Sequence, residues 1–178
     1  MLIIELNTIR NGLPTLTSDW GNFLSEAGLY CLLRANHVSG VSLKLMNRED
    51  NIRITWNYEL DFRAKYSYCD EEEATEYGAI CISILLAINL TPFTTVQRAC
   101  KGGSFDYWLG TSDESNHLPF QECARLEISG IKTGNEIDIS NRTKEKLNRY
   151  NAVNQKKLPF YISIIEFSKP RANFVEIT

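Results

Sequence analysis

Asp106, in Gly102-Gly103-Ser104-Phe105-Asp106-Tyr107-Trp108-Leu109, and Glu127, in Ala124-Arg125-Leu126-Glu127-Ile128-Ser129-Gly130-Ile131, are lone carboxylates inside otherwise apolar, strand-like segments. A charge in such a segment is costly unless something binds it. The chemistry that uses a pair of this kind is divalent-metal hydrolysis. Mg²⁺ is held by a few carboxylate oxygens together with phosphate and water, polarises a phosphoryl oxygen and lowers the pKa of its water. If the two segments are adjacent strands, both side chains converge on one point, with Phe105, Trp108, Leu126 and Ile128 as walls.

Other chemistries find little support. There is no Walker motif, G-x-G-x-x-G or G-x-S-x-G, which argues against an NTPase, a dinucleotide enzyme or an α/β-hydrolase. The five cysteines are widely spaced without a C-x-x-C pair, and His37 and His117 are the only histidines, so a zinc or histidine-rich metal site is not expected. Free thiols and the absence of a basic, apolar leader lead us to expect a cytoplasmic protein.

The elements that would position the carboxylates are read from periodicity. Trp20, Phe23, Leu24, Ala27, Cys31 and Leu32 predict a helix from Ser18 to about Asn36, capped by Ser18 or Asp19. Val38 to Met46 and Ile52 to Tyr58 alternate as a β-hairpin. A second helix follows the acidic block Asp70 to Glu73 and is apolar nearly all round through Leu90, which marks it as a core helix too short in its apolar part to span a membrane. Strands are expected at Phe93 to Ala99, Ser104 to Leu109 and Cys123 to Ile131, with a tight turn at Lys101-Gly102-Gly103. A third helix should start near Ile139 or Ser140 and run to about Asn151, followed by strands Phe160 to Phe167 and Asn173 to Ile177. One α+β domain over residues 1–178 accounts for this, with 1–69 an extension of helix and hairpin and 70–178 the core.

From the acidic block onward the order is helix, three strands, helix, strand. With Asp106 on the second strand and Glu127 on the third, the segment Asp70 to Phe167 resembles the PD-(D/E)xK, or restriction-endonuclease-like, nuclease core. The resemblance implies a central mixed sheet in an αβββαβ core and Mg²⁺ bound by Asp106 and Glu127, with Glu76 completing the metal shell. It further implies activity on nucleic acid, in a bacterial defence or DNA-processing module. Two departures from the pattern stand out. Phe105 occupies the place of the motif proline, and Ser129 that of the lysine that helps position or activate water. A serine hydroxyl supplies no positive charge, so Lys101 in the preceding turn or Lys144 on the following helix would have to do so.

Structural roles compete for the same residues. Asp106 could accept backbone N–H groups at a strand end or pair with Arg98 or Lys101, Glu127 could be neutralised by Arg125 or Arg142, and Glu76 could belong to a solvated first turn. The net charge of −3 gives no general attraction to nucleic acid, but Arg142, Lys146 and Arg149 form a basic helix face that would track phosphates or an acidic partner. Tyr58, Phe62, Tyr66 and Tyr68 suggest instead a protein-binding surface. On that alternative the chain is a non-catalytic small subunit of a multi-protein assembly.

Overall fold

A computed structural model describes residues 1–49, 51–100, 102, 104–111, 124–153 and 158–177. Its elements are β1 (Ile3–Glu5), α1 (Leu6–Arg10), α2 (Ser18–Arg34), β2 (Val41–Leu45), β3 (Asn51–Thr55), α3 (Ala64–Ser67), α4 (Glu71–Leu90), β4 (Thr95–Arg98), β5 (Tyr107–Gly110), β6 (Ala124–Ile131), α5 (Glu136–Val153), β7 (Phe160–Glu166) and β8 (Arg171–Ile177). All eight strands form one mixed sheet in the order β1-β3-β2-β8-β7-β6-β5-β4. β4, β5 and β6 are successively antiparallel, and β6 and β7 are parallel, joined through α5. The expected hairpin is β2 and β3, and it joins the sheet through a parallel contact with β8. The sheet therefore continues without a break across the expected junction at residues 69 and 70.

β7 is buried along its whole length because the sheet is covered on both sides. Phe160, Ile162 and Ile164 pack with Ile139 and Tyr150 of α5, whereas Tyr161 and Ile165 belong to the larger core with α2 and α4. Helix α4 is long and apolar enough to pass for a membrane span by composition, yet most of its apolar stretch is buried inside the fold. It lies tight against the sheet at Gly130, where a Cβ would lie 2.5 Å from the carbonyl oxygen of Thr75.

Helix ends follow local capping chemistry. Asp70 Oδ1 accepts from the N–H groups of Glu72 and Glu73 at 3.0 and 3.2 Å, and three glutamates in the first turn of α4 favour the helix dipole. Thr17, rather than Ser18 or Asp19, caps α2. Helix α5 starts at Glu136, three or four residues before the expected Ile139 or Ser140. Asn135 Oδ1 accepts from Ile137 N and Asp138 N, while Asp138 Oδ2 accepts from Asn135 N, a reciprocal box. The turn before it is held by the fully buried Glu166, whose carboxylate accepts from the N–H groups of Gly134, Ser168 and Lys169. The edge strand β4 is closed by Thr15, whose hydroxyl donates to Val96 O at 2.6 Å and accepts from Val96 N at 3.1 Å.

Candidate functional site

Alternate residues of β6 point toward α5. Two residues of strand advance about 6.6 Å and four residues of helix about 6 Å, so a strand set at i, i+2, i+4 meets a helix set at i, i+4, i+8 rung by rung. Arg125 Nη2 donates to Tyr150 OH at 3.3 Å, Lys146 Nζ to Glu127 Oε1 at 2.5 Å, and Arg142 Nη1 to Ser129 Oγ at 2.9 Å. Helix α5 thus runs antiparallel to β6 with a basic residue over the carboxylate and another over the serine.

Asp106 lies one residue before β5. Its backbone N–H still donates to Leu126 O at 3.0 Å, but its carboxylate, through Oδ2, takes the N–H of Ile128 at 2.8 Å. The side chain thereby replaces a ladder bond where β5 leaves β6, and it is held beside Glu127. Burial first, and then the Asp106 charge, push the Glu127 carboxyl up to about 7, against the downward pull of Lys146. Of the two carboxyl groups, Glu127 has the Lys146 ammonium at hydrogen-bond distance, and the oxygens of both are of the kind that hard divalent cations take as ligands. Glu76, exposed on α4, lines the same cleft of about 300 Å³ as Asp106, Ser129, Arg142, Lys146 and Arg149. Among the described residues, no three His, Cys, Asp or Glu side chains gather as a metal group.

Several sequence expectations are corrected here. The cation on Glu127 is Lys146, not Arg125 or Arg142. Arg125 instead donates to Tyr150 OH and Leu158 O. Arg98 lies over the Trp20 ring, 5.5 Å from its centroid, rather than on Asp106. Lys144 is exposed on α5 and does not line the cleft, and Lys101 lies outside the described residues. Arg142 and Arg149 reach the cleft, but both also pair with Glu145, at 3.7 and 2.6 Å. The signal for Lys146 was the Arg142-x₃-Lys146-x₃-Tyr150 stripe, whose period of four matches Arg125-x-Glu127-x-Ser129 only once helix and strand are in register. Cys31 is buried and its thiol is pushed up to about 12, mainly by burial, which leaves it un-ionised at neutral pH. His37 Nε2 is 2.9 Å from Phe167 O.

Glu127 sets a pH dependence of stability. Its folded pKa lies above the ordinary value of 4.5. Between 4.5 and about 7 the native state therefore binds the extra proton, and stability falls as pH rises through that window. Glu127→Gln removes this one titrating carboxyl. Denaturant midpoints measured from pH 4 to 8 should show a shallower decline for the variant than for the wild type; parallel profiles would exclude this origin.

Comparison with protein-family models, with curated proteins and with solved structures finds no match to this chain.

Proposed function

We propose that the chain is a restriction-endonuclease-like protein that hydrolyses nucleic acid with Mg²⁺ held by Asp106 and Glu127. The observation that carries this reading is the juxtaposition of those two carboxyl groups, Glu127 buried beneath Lys146 and Asp106 fixed by the Ile128 N–H, with Asp106 lining an open cleft walled by Arg142, Lys146 and Arg149. The succession of α4, three antiparallel strands, α5 and a parallel strand is the order expected for such a core.

A bound Mg²⁺ would polarise the scissile phosphoryl group and acidify its water. The protein's own residues do the rest. Asp106 and Glu127 would supply the oxygen ligands, and Glu76, which lines the same cleft as Asp106, would be a further donor. Lys146 orients Glu127 and brings to the cleft the positive charge that Ser129 does not. Arg142 and Arg149 offset phosphate charge. The test is cleavage of labelled single- and double-stranded DNA and RNA in Mg²⁺, Mn²⁺ or EDTA. Metal-dependent cleavage is expected, and its absence across all substrates with both metals would sink the enzymatic reading.

A second reading, a nuclease-like fold serving as a partner-binding subunit, is favoured by the segment before α4. Tyr68 is buried and Tyr58 is anchored by its hydroxyl to Ser25 O, whereas Phe62 and Tyr66 are 76% and 68% exposed. On this reading Phe62→Ser/Tyr66→Ser lowers the molar mass of the complex purified with neighbouring gene products; an unchanged mass argues against it.

A further inference from the structure

The cleft at the carboxyl pair is one stretch of a longer furrow. Toward β4 it continues, past the shared Ile80 and Asp106, into a hollow of about 450 Å³ lined by Arg98 and Phe105. In the other direction, past the shared Glu76, Gly130 and Arg142, it opens into a hollow of about 600 Å³ that reaches Lys132 and Glu71. A further recess of about 250 Å³ lies beyond, bounded by Glu71, Lys132 and Arg34. One stripe of α4, from Glu71 through Thr75 and Glu76 to Ile80, forms a wall throughout. Those nine helical steps cover roughly 13 Å, or about four nucleotides at the stacked rise of about 3.4 Å.

We infer that this furrow takes an internal stretch of a single nucleic-acid strand, threaded past the carboxyl pair, and not a strand end. A site for an end is closed on one side of the reacting bond, whereas this one, among the described residues, continues into a hollow on either side. The cations Arg142, Lys146 and Lys132 lie on the side of β6 and α5 and are suited to phosphates. That leaves base edges toward α4, whose carboxylates accept hydrogen bonds from exocyclic amines. At the β4 end, half-buried Phe105, packed edge-on against Trp108 at 4.5 Å, offers a ring to a base face that a duplex would hide.

The far end carries a built-in competitor. The Glu71 carboxylate pairs with both Arg34 and Lys132, one oxygen to each. A strand that reaches this end displaces Glu71 from the two cations, so Glu71 limits affinity.

This inference rests on the nucleic-acid reading of the cleft. It is tested by binding in EDTA, where no hydrolysis is needed. Fluorescence anisotropy of a labelled single-stranded DNA oligonucleotide is followed in competition with a circular single strand, a linear strand of the same sequence and a duplex. The circle should compete as well as the linear strand, and the duplex several-fold less well. Glu71→Gln should bind several-fold more tightly, and its log K against log salt slope should steepen by about 0.7 for each cation released. Lys132→Gln should bind more weakly. A requirement for a free end, equal competition by duplex, or Glu71→Gln with unchanged affinity and slope overturns the inference without touching the nuclease reading. Binding as expected with no cleavage in Mg²⁺ or Mn²⁺ leaves the inference standing and removes the nuclease.

Discussion

On the proposed nuclease reading, Asp106→Ala and Glu127→Gln should each reduce Mg²⁺-dependent cleavage by about a hundredfold or more, the effect of losing roughly 3 kcal/mol of transition-state stabilisation. The two variants remove the charge in different ways. Asp106→Ala also strips the Ile128 N–H of its acceptor, so a stability loss of about 1–3 kcal/mol accompanies the kinetic one. Glu127→Gln keeps the shape and an oxygen for Lys146, so the fold should survive. Glu127→Ala is a poorer probe, because a partly buried ammonium left without its partner is itself destabilising, by about 3–5 kcal/mol. A readout independent of turnover is thermal unfolding with added Mn²⁺. On the same reading, wild type should gain stability as the free metal exceeds its Kd, and both variants should lose most of that gain. Full cleavage in both variants would show that the carboxyl pair is structural.

Gly130→Ala should be the most damaging one-carbon change near the site. The added Cβ would meet Thr75 O at 2.5 Å, Thr75 Cγ2 at 2.7 Å and Thr75 C at 2.9 Å. Two of those three atoms are backbone, so no rotamer change relieves the clash and α4 must retreat from β6. Overpacking of this kind costs about 1–3 kcal/mol. The denaturant midpoint should fall with an unchanged m-value. Adding Thr75→Ala should recover little, since it removes only the methyl contact. The displaced helix carries Glu76 and Ile80, so cleft chemistry should suffer with stability. A loss below about 0.5 kcal/mol, the range of ordinary surface changes, would mean that the helix and strand are less closely packed than described.

What the chain revealed before its structure was known follows from which forces are local. Periodicity located α2, the β2-β3 hairpin, α4 and the strands around Asp106 and Glu127, because each buries a face that its own residues define. It also brought the two carboxylates to neighbouring strands. The identity of the cation on Glu127 was not legible, since it depends on how α5 is phased along β6, a tertiary property. Nor could alternation reveal that the hairpin joins the sheet through β8, or that β1 pairs in parallel with β3. The segment from Tyr58 to Tyr68 reads as a polar, aromatic-rich partner surface, yet two of its rings are anchored within the fold by hydroxyl bonds to Ser25 O and Phe23 O, contacts made across the chain. The early start of α5 was written in Asn135 and Asp138, where an aspartate plays the part usually taken by a longer acid.

The Thr15 hydroxyl has a consequence for chain assembly. Val96 is a residue whose free N–H and C=O would otherwise be offered to another polypeptide, and one hydroxyl occupies both. A strand approaching β4 from solution finds that docking point already taken by the protein's own loop, which blunts strand-by-strand filament growth from this margin. The sheet is thus terminated from within, by a residue some eighty positions away in sequence.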